Sequence, residues 1–215
     1  MSEDEYWNQF YSHAHAGLEA PSSFAVQVGD QLTAGAHVFE LGCGNGRDAL
    51  YFASRGLKVT ACDRSSVAVT ALAQRGDLTR FAHRPEFLTA DFQELAERCA
   101  ALTPDVVYSR FTLHAVPPAV QTAALRWSRG ALRPRGRLFI EARSVAGSLY
   151  GKGIPVERDA FLHDGHYRRF LRLDELTEEL EGLGFAITSA SEGAGVAIYR
   201  DDDPVVIRIT ATTPG

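Results

Sequence analysis

A doubly wound α/β fold is predicted for this chain on three observations. Strand-like and helix-like segments alternate five times between Val38 and Glu141. A glycine-rich turn, Gly42-Cys43-Gly44-Asn45-Gly46, separates the first of those strands from its helix. After Glu141 come one more helical stretch and two strands, the last alternating strongly over V-V-I-R-I-T-A-T.

Composition sets the outer limits. A chain of 215 residues suits one domain, and a hydrophobic share of 45% supports a full core. The net charge of −5 argues against a general nucleic-acid binder, which needs a basic face. The amino terminus, M-S-E-D-E-Y-W, is acidic without the apolar core of a signal peptide, and no run of about 18 apolar residues offers a membrane span. Cys43, Cys62 and Cys99 are too few and scattered for a disulfide framework or a zinc cluster. Cys43 and Cys62 end neighbouring strands, and reduced, buried thiols are expected there. The expectation is a cytoplasmic monomer or homodimer with no metal, membrane or nucleic-acid partner.

Taken in order, residues 5–11 carry Tyr6, Trp7, Phe10 and Tyr11 at the spacing of a short amphipathic helix. It could pack on a sheet edge or cover a ligand. His13 and His15 follow as an H-x-H pair, with no carboxylate nearby to complete a metal site. Pro21 opens a helix expected to run to about Leu32. Val38 to Leu41 is a short apolar run of the kind buried in a parallel sheet, and residues 47–55 read as helix. A second strand, 57–62, ends in Asp63; helix 65–75 and a weaker strand, 86–89, follow. Residues 93–101 read as helix and 104–109 as the fourth strand. Pro117-Pro118 starts a helix to about Gly130, and residues 132–141 supply a turn and the fifth strand. Residues 142–170 form a polar, glycine-punctuated insert expected to be irregular and functional. Then come a helix at 173–182, a strand at 185–190, a solvated acidic turn at Asp201-Asp202-Asp203 and the last strand, 204–212.

Strand, glycine turn and helix make a nucleotide-type site. Positions without side chains let a ligand lie on the backbone, and the first helical turn points its N–H groups at it. The dinucleotide fingerprint is G-x-G-x-x-G, but here the spacing is G-x-G-x-G and Arg47 stands at the dinucleotide motif's third glycine. Asp63 lies nineteen residues after Gly44, close to the ~20 expected for an acid that takes ribose hydroxyls. Its other reading is a cap for the helix near Ser65.

The run E-L-G-C-G-N-G resembles motif I of the class I S-adenosylmethionine-dependent methyltransferases. D-V-V-Y-S-R-F-T-L-H-A-V resembles their motif IV, and L-R-P-R-G-R-L their L-x-P-G-G-x-L turn, with Arg135 in place of the first glycine. L-G-C-G-N-G-R-D-A-L-Y is also similar to tellurite-resistance methyltransferases and to small bacterial enzymes that methylate metabolites or glycans. The resemblance implies a seven-stranded, mostly parallel Rossmann-like sheet of order 3-2-1-4-5-7-6 with an antiparallel last strand. It implies a single methyltransferase domain over 1–215, with a helical lid at 1–33 and an acceptor-side insert at 142–170. The cofactor would be S-adenosyl-L-methionine, held by Glu40, Gly42, Gly44, Asn45, Gly46, Asp63, Arg64, Asp91, Phe92 and Arg110 and covered by Trp7 and Tyr11.

The implied reaction is in-line methyl transfer to a small polar or anionic metabolite or sugar. Alternatives are a protein or RNA methyltransferase, a non-catalytic cofactor-binding protein and a nicotinamide oxidoreductase. His114, four residues past Arg110, is a candidate base with an ordinary pKa of about 6.5, or else a structural histidine. Arg143, Tyr150, Tyr167 and Arg168 are the further acceptor-side candidates, with Lys152, His163, His166 and Arg169 nearby. Guanidinium groups suit carboxylate or phosphate, and tyrosines add neutral donors. The competing reading pairs these cations with Glu141, Glu157, Asp159 and Asp164.

Overall fold

Val38, Phe39 and Leu41 are wholly buried, and so are Ala61 and Cys62, because parallel strands are covered on both faces. They belong to β1 (His37–Leu41) and β2 (Lys58–Asp63), which pair in parallel with Leu41 opposite Cys62. The computed structural model describes residues 3–12, 20–163, 166–199 and 201–215; His13, His15 and Asp164 lie outside them. The chain divides into two compact units, Met1–Tyr108 and Ser109–Gly215.

The first unit opens with α1 (Glu3–Ser12) and α2 (Ser23–Gly29). After β1 come α3 (Arg47–Ser54), β2, α4 (Ser66–Ala73), β3 (Glu86–Thr89) and α5 (Leu95–Arg98). Strand β4 (Val106–Arg110) spans the division. The second unit holds α6 (Pro118–Ala131), β5 (Arg137–Arg143), β6 (Ile154–Glu157), β7 (Ala160–His163), β8 (His166–Arg169), α7 (Leu173–Gly182), β9 (Ala186–Gly193) and β10 (Val206–Thr212). The main sheet runs β3-β2-β1-β4-β5-β10-β9, and β10 is antiparallel to both β5 and β9. This is the expected order, with the insert strands set apart in a sheet of their own. No helix among the described residues is long and apolar enough to cross a membrane.

Four local expectations change. Helix α2 is shorter than read: Ser22 takes the cap by accepting from Ala25 N–H at 3.0 Å, which leaves Pro21 outside. At its other end Gln31 and Leu32 turn back onto the carbonyls of Val28 and Gly29, tightening the chain out of the α-helix. The helix read at 93–101 splits into a 3₁₀ turn, Phe92–Glu94, and the single turn α5, because Asp91 and Glu94 form a capping box. The insert is not irregular, since β6, β7 and β8 make a three-stranded antiparallel sheet. Its strands are four residues each, too short for alternation to be read. An edge-to-face cluster of Tyr150, Phe161 and Phe170 packs it. Finally, the acidic turn is not merely solvated. Asp202 pairs with Arg143, and Asp203 accepts from Gly195 N–H at 2.7 Å.

Candidate active site

In the first unit the chain leaves β1 through Gly42, Gly44 and Gly46 at φ of 70°, 52° and 77°, angles that side chains resist. Cys43 N–H donates to Cys62 O at 2.9 Å and Gly46 N–H to Cys43 O at 2.8 Å, so the turn is stitched to β2 and to itself. Asp63, buried at the end of β2, accepts from Gly44 N–H (2.8 Å) and Ser65 N–H (2.9 Å), one on each oxygen. The cap of α4 is Ser65, which accepts from Ala68 N–H, so Asp63 is a brace for the glycine turn and not the helix cap. Burial raises the Asp63 carboxyl above its usual range, opposed by these two N–H groups and by Arg64.

Helix α1 reaches this turn. A side chain at Gly44 would collide with the Tyr11 hydroxyl, and one at Gly46 with Leu72. Trp7 stacks on Tyr11 at 5.9 Å, and Asn8 accepts from the Ser65 hydroxyl at 2.7 Å. Burial raises the Tyr11 phenol well above its normal value, and the negative charges of Asp63 and Glu40 raise it further. Burial also raises the thiols of Cys43 and Cys62, which stay protonated and inert. Asn45 accepts from Arg47 N–H at 3.4 Å. Asp91 caps the 3₁₀ turn through Gln93 N–H at 3.0 Å and lies 3.6 Å from the Arg64 guanidinium, with Phe92 buried beside it.

One feature escaped the sequence reading. Asp48, in the first turn of α3, accepts from Ser22 N–H (2.8 Å), Ser22 hydroxyl (2.7 Å) and Tyr108 hydroxyl (2.8 Å). A carboxylate among Ala49, Leu50 and Phe52 was the only available signal.

In the second unit the acceptor-side candidates separate. Arg110 is 2.8 Å from Glu141, whose other oxygen takes Arg208 at 2.7 Å; Glu141 is 1% exposed, so its carboxylate is fully enclosed. Arg110 therefore ties the end of β4 to β5 through Glu141. Phe111 follows at φ 57°, a strained angle for a bulky residue, with its N–H fixed on Glu141 O. The Arg110 and Arg143 guanidinium carbons lie 4.2 and 5.3 Å from its ring centre, and His114 meets the ring edge-to-face at 5.4 Å.

His114 sits buried in a 3₁₀ turn, Leu113–Ala115, and its Nδ1 accepts from the backbone N–H of Arg143 at 3.2 Å. Burial first, then Arg143, Arg168, His166 and Arg169, hold its pKa well below 6.5, so the ordinary histidine pKa expected for it does not apply. His166 is lowered to about 4 by burial and by Arg168. Arg169 is structural: it donates to Val116 O (3.3 Å), Leu113 O (3.1 Å) and Gln121 Oε1 (2.5 Å). Arg168, its neighbour along β8, is only half-buried. Tyr150 donates to Asp159 at 2.6 Å and Tyr167 to Glu157, so both hydroxyls serve the insert sheet.

The glycine turn suits a cationic nucleoside. Gly44 and Gly46 leave the room that Tyr11 and Leu72 fill, and buried Glu40 and Asp63 beside the Tyr11 hydroxyl are acceptors and negative charges of the kind that a sulfonium, an ammonium and ribose hydroxyls would need. A doubly wound sheet of this order with a G-x-G-x-G turn and an acid closing β2 defines the class I S-adenosylmethionine-dependent methyltransferases. Residues 13–190 match the family model described as methyltransferase domain, and the chain belongs to that family. It is an S-adenosylmethionine-dependent enzyme.

No curated protein matches the chain in sequence. Similar solved structures include an S-adenosylmethionine-dependent methyltransferase from Methanosarcina mazei, 19% identical with a TM-score of 0.73, covering 87% of this chain and 97% of that one. The 1,6-didemethyltoxoflavin-N1-methyltransferase of Burkholderia thailandensis is 22% identical with a TM-score of 0.68, covering 100% and 92%. TehB from Haemophilus influenzae is 15% identical with a TM-score of 0.69, covering 98% of this chain and 66% of that one.

Proposed function

We propose that the enzyme methylates a small polar or anionic metabolite or sugar by in-line displacement, with residues 1–215 acting as one methyltransferase domain. The family match, 13–190, runs through both compact units, which supports the single-domain reading. S-adenosylmethionine supplies a methyl group on a positively charged sulfur, already activated toward a nucleophile. This chain's part is then to bind, align and exclude water, and positioning can be worth ~7–11 kcal/mol.

On the cofactor side, Glu40, Asp63 and the turn Gly42, Gly44, Asn45 and Gly46 are the proposed contacts, with Arg64, Asp91 and Phe92 at the base end. Each Asp63 oxygen keeps a lone pair for a ribose hydroxyl beyond the backbone N–H it already accepts. Trp7 and Tyr11 of α1 form the proposed cover, supported by the seat of Tyr11 over Gly44. Arg110, paired with Glu141, is left out of the set.

The observation that carries the acceptor class is the gathering of His114, Arg143, His166 and Arg168 around one another, with Phe111 as an aromatic wall. Positive charge and N–H donors favour an acceptor that brings oxygen atoms or negative charge. The neighbour from Burkholderia thailandensis, solved with 1,6-didemethyltoxoflavin and S-adenosylhomocysteine, is in keeping with a small acceptor. The net charge of −5 disfavours RNA. Calorimetry should detect S-adenosylhomocysteine binding and no binding of NAD, and a methyl-labelled cofactor should mark a small acid, phenol or sugar from a metabolite panel. Binding of NAD without S-adenosylhomocysteine would sink the reading.

A further inference from the structure

We propose that His114 meets the methyl acceptor as a hydrogen-bond donor through Nε2, so that the enzyme takes acceptors whose nucleophile arrives already deprotonated. The inference rests on the methyl-transfer reading above and narrows its substrate class to carboxylates, phenolates, enolates and thiolates that also present an oxygen to this N–H.

The geometry is directional. A peptide N–H can only donate, and that of Arg143 points at Nδ1 from 3.2 Å. Nδ1 must therefore offer its lone pair, and the single proton of the neutral ring sits on Nε2. A nitrogen that already carries the proton cannot take one from an acceptor. Protonating Nδ1 instead would set two N–H groups face to face in a site where His114 is 6% exposed.

The surroundings act in the same direction. Arg143 approaches from β5, and His166, Arg168 and Arg169 approach from β8, and the largest charge effects on His114 come from these basic groups. The carboxylate that joins them, Asp202, is engaged by the Arg143 guanidinium. The ring is also held still. Arg169 clamps the carbonyls of Leu113 and Val116 on either side, and Ala115 N–H closes the turn on Thr112 O at 2.9 Å. Among the described residues no hydrogen bond is made by Nε2. A rigid neutral donor amid cations stabilises an oxygen anion or a polarised carbonyl. It does nothing for an ammonium, which the same arginines would repel.

Two consequences separate this from a general base. Activity should show no acid limb at the ordinary histidine pKa of about 6.5, and should follow the ionisation of the acceptor itself. The two carboxamide substitutions should also differ. His114→Gln can place an amide N–H near the Nε2 position, whereas His114→Asn places its amide near Nδ1 only.

The test uses the full chain, ¹⁵N-labelled and saturated with S-adenosylhomocysteine, with His114→Gln to assign the His114 ring signals. Long-range ¹H–¹⁵N spectra should show the proton on Nε2 from about pH 5.5 to about 8.5 with no titration. Benzoate, used as an anionic aromatic probe, should shift the His114 Nε2 signal saturably. His114→Gln should hold benzoate within about threefold of wild type, and His114→Asn should lose at least about tenfold. A proton on Nδ1, a titration near 6.5, or an unmoved Nε2 signal in benzoate would each overturn the proposal, and all three are read on the wild-type protein. Failure to bind S-adenosylhomocysteine at all would bring down the methyl-transfer reading itself, and the proposal with it.

Discussion

Replacing Asp63 by alanine should damage the glycine turn before it affects any ligand. The carboxylate accepts two backbone N–H groups, from Gly44 and Ser65, at 2.8 and 2.9 Å, and the site is buried. Hydrogen bonds to a charged group contribute about 1.5–3 kcal/mol each, so the gross loss is roughly 3–6 kcal/mol. Part of that is offset, because removing the carboxylate also removes the desolvation that raises its pKa. A net cost of about 2–4 kcal/mol remains, a large share of the ~5–15 kcal/mol typical of a domain. Urea unfolding at constant m-value, with and without S-adenosylhomocysteine, measures it. Asp63→Asn keeps one acceptor oxygen but sets an amide N–H₂ against the other backbone N–H, so it should cost a similar amount. In the folded Asn variant, calorimetry should find S-adenosylhomocysteine weakened roughly 10- to 100-fold. An alanine variant within about 0.5 kcal/mol of wild type would refute the bracing argument. Unchanged affinity in the asparagine variant would remove Asp63 from the ribose.

Gly44→Val should cost at least about 1–2 kcal/mol from its φ of 52° alone, and should also displace Tyr11; normal S-adenosylhomocysteine affinity would contradict the cradle. Arg143→Ala should lower kcat/KM for an anionic acceptor at least about tenfold with cofactor affinity near wild type, and Asp202→Asn, which releases the same guanidinium, should give a smaller loss. Equal loss of cofactor and acceptor binding would mark Arg143 as structural. His166, at about 4 in the folded protein against an ordinary 6.5, refuses a proton that the unfolded chain accepts. Stability should therefore hold above about pH 6.5 and decline as pH falls toward 4. His114, shifted the same way, adds to this decline, whereas Asp63, raised on folding, opposes it. His166→Gln should flatten the urea-midpoint slope in that window, and an unchanged slope would show that His166 is not responsible.

The parts of the molecule that depend on neighbours in sequence were readable from sequence. Three glycines in five residues are a statement about backbone angles, and all three do lie at positive φ. The apolar runs of β1 and β2 mark strands buried on both faces, and α7 forms over the range its 3.6-residue spacing predicts. The strand order followed from the family resemblance, because periodicity says that a strand exists and not which strand lies beside it.

What tertiary structure alone decided is how the polar groups pair. Asp48 is tied to Ser22 and to Tyr108, 26 and 60 residues away. Arg143 finds Asp202 at a separation of 59, and Asp159 and Glu157 engage Tyr150 and Tyr167 in a sheet whose short, polar strands gave no period. The proton on His114 is assigned by a backbone N–H 29 residues further along, from a residue read only for its side chain. Periodicity encodes which face of an element is buried, through a hydrophobic effect that has no direction. A hydrogen bond or an ion pair depends on distances of about 3 Å and on angle. Those are set only when separate segments have packed, and so the sequence specified the cradle's backbone while the packed chain specified the chemistry of the side chains around it.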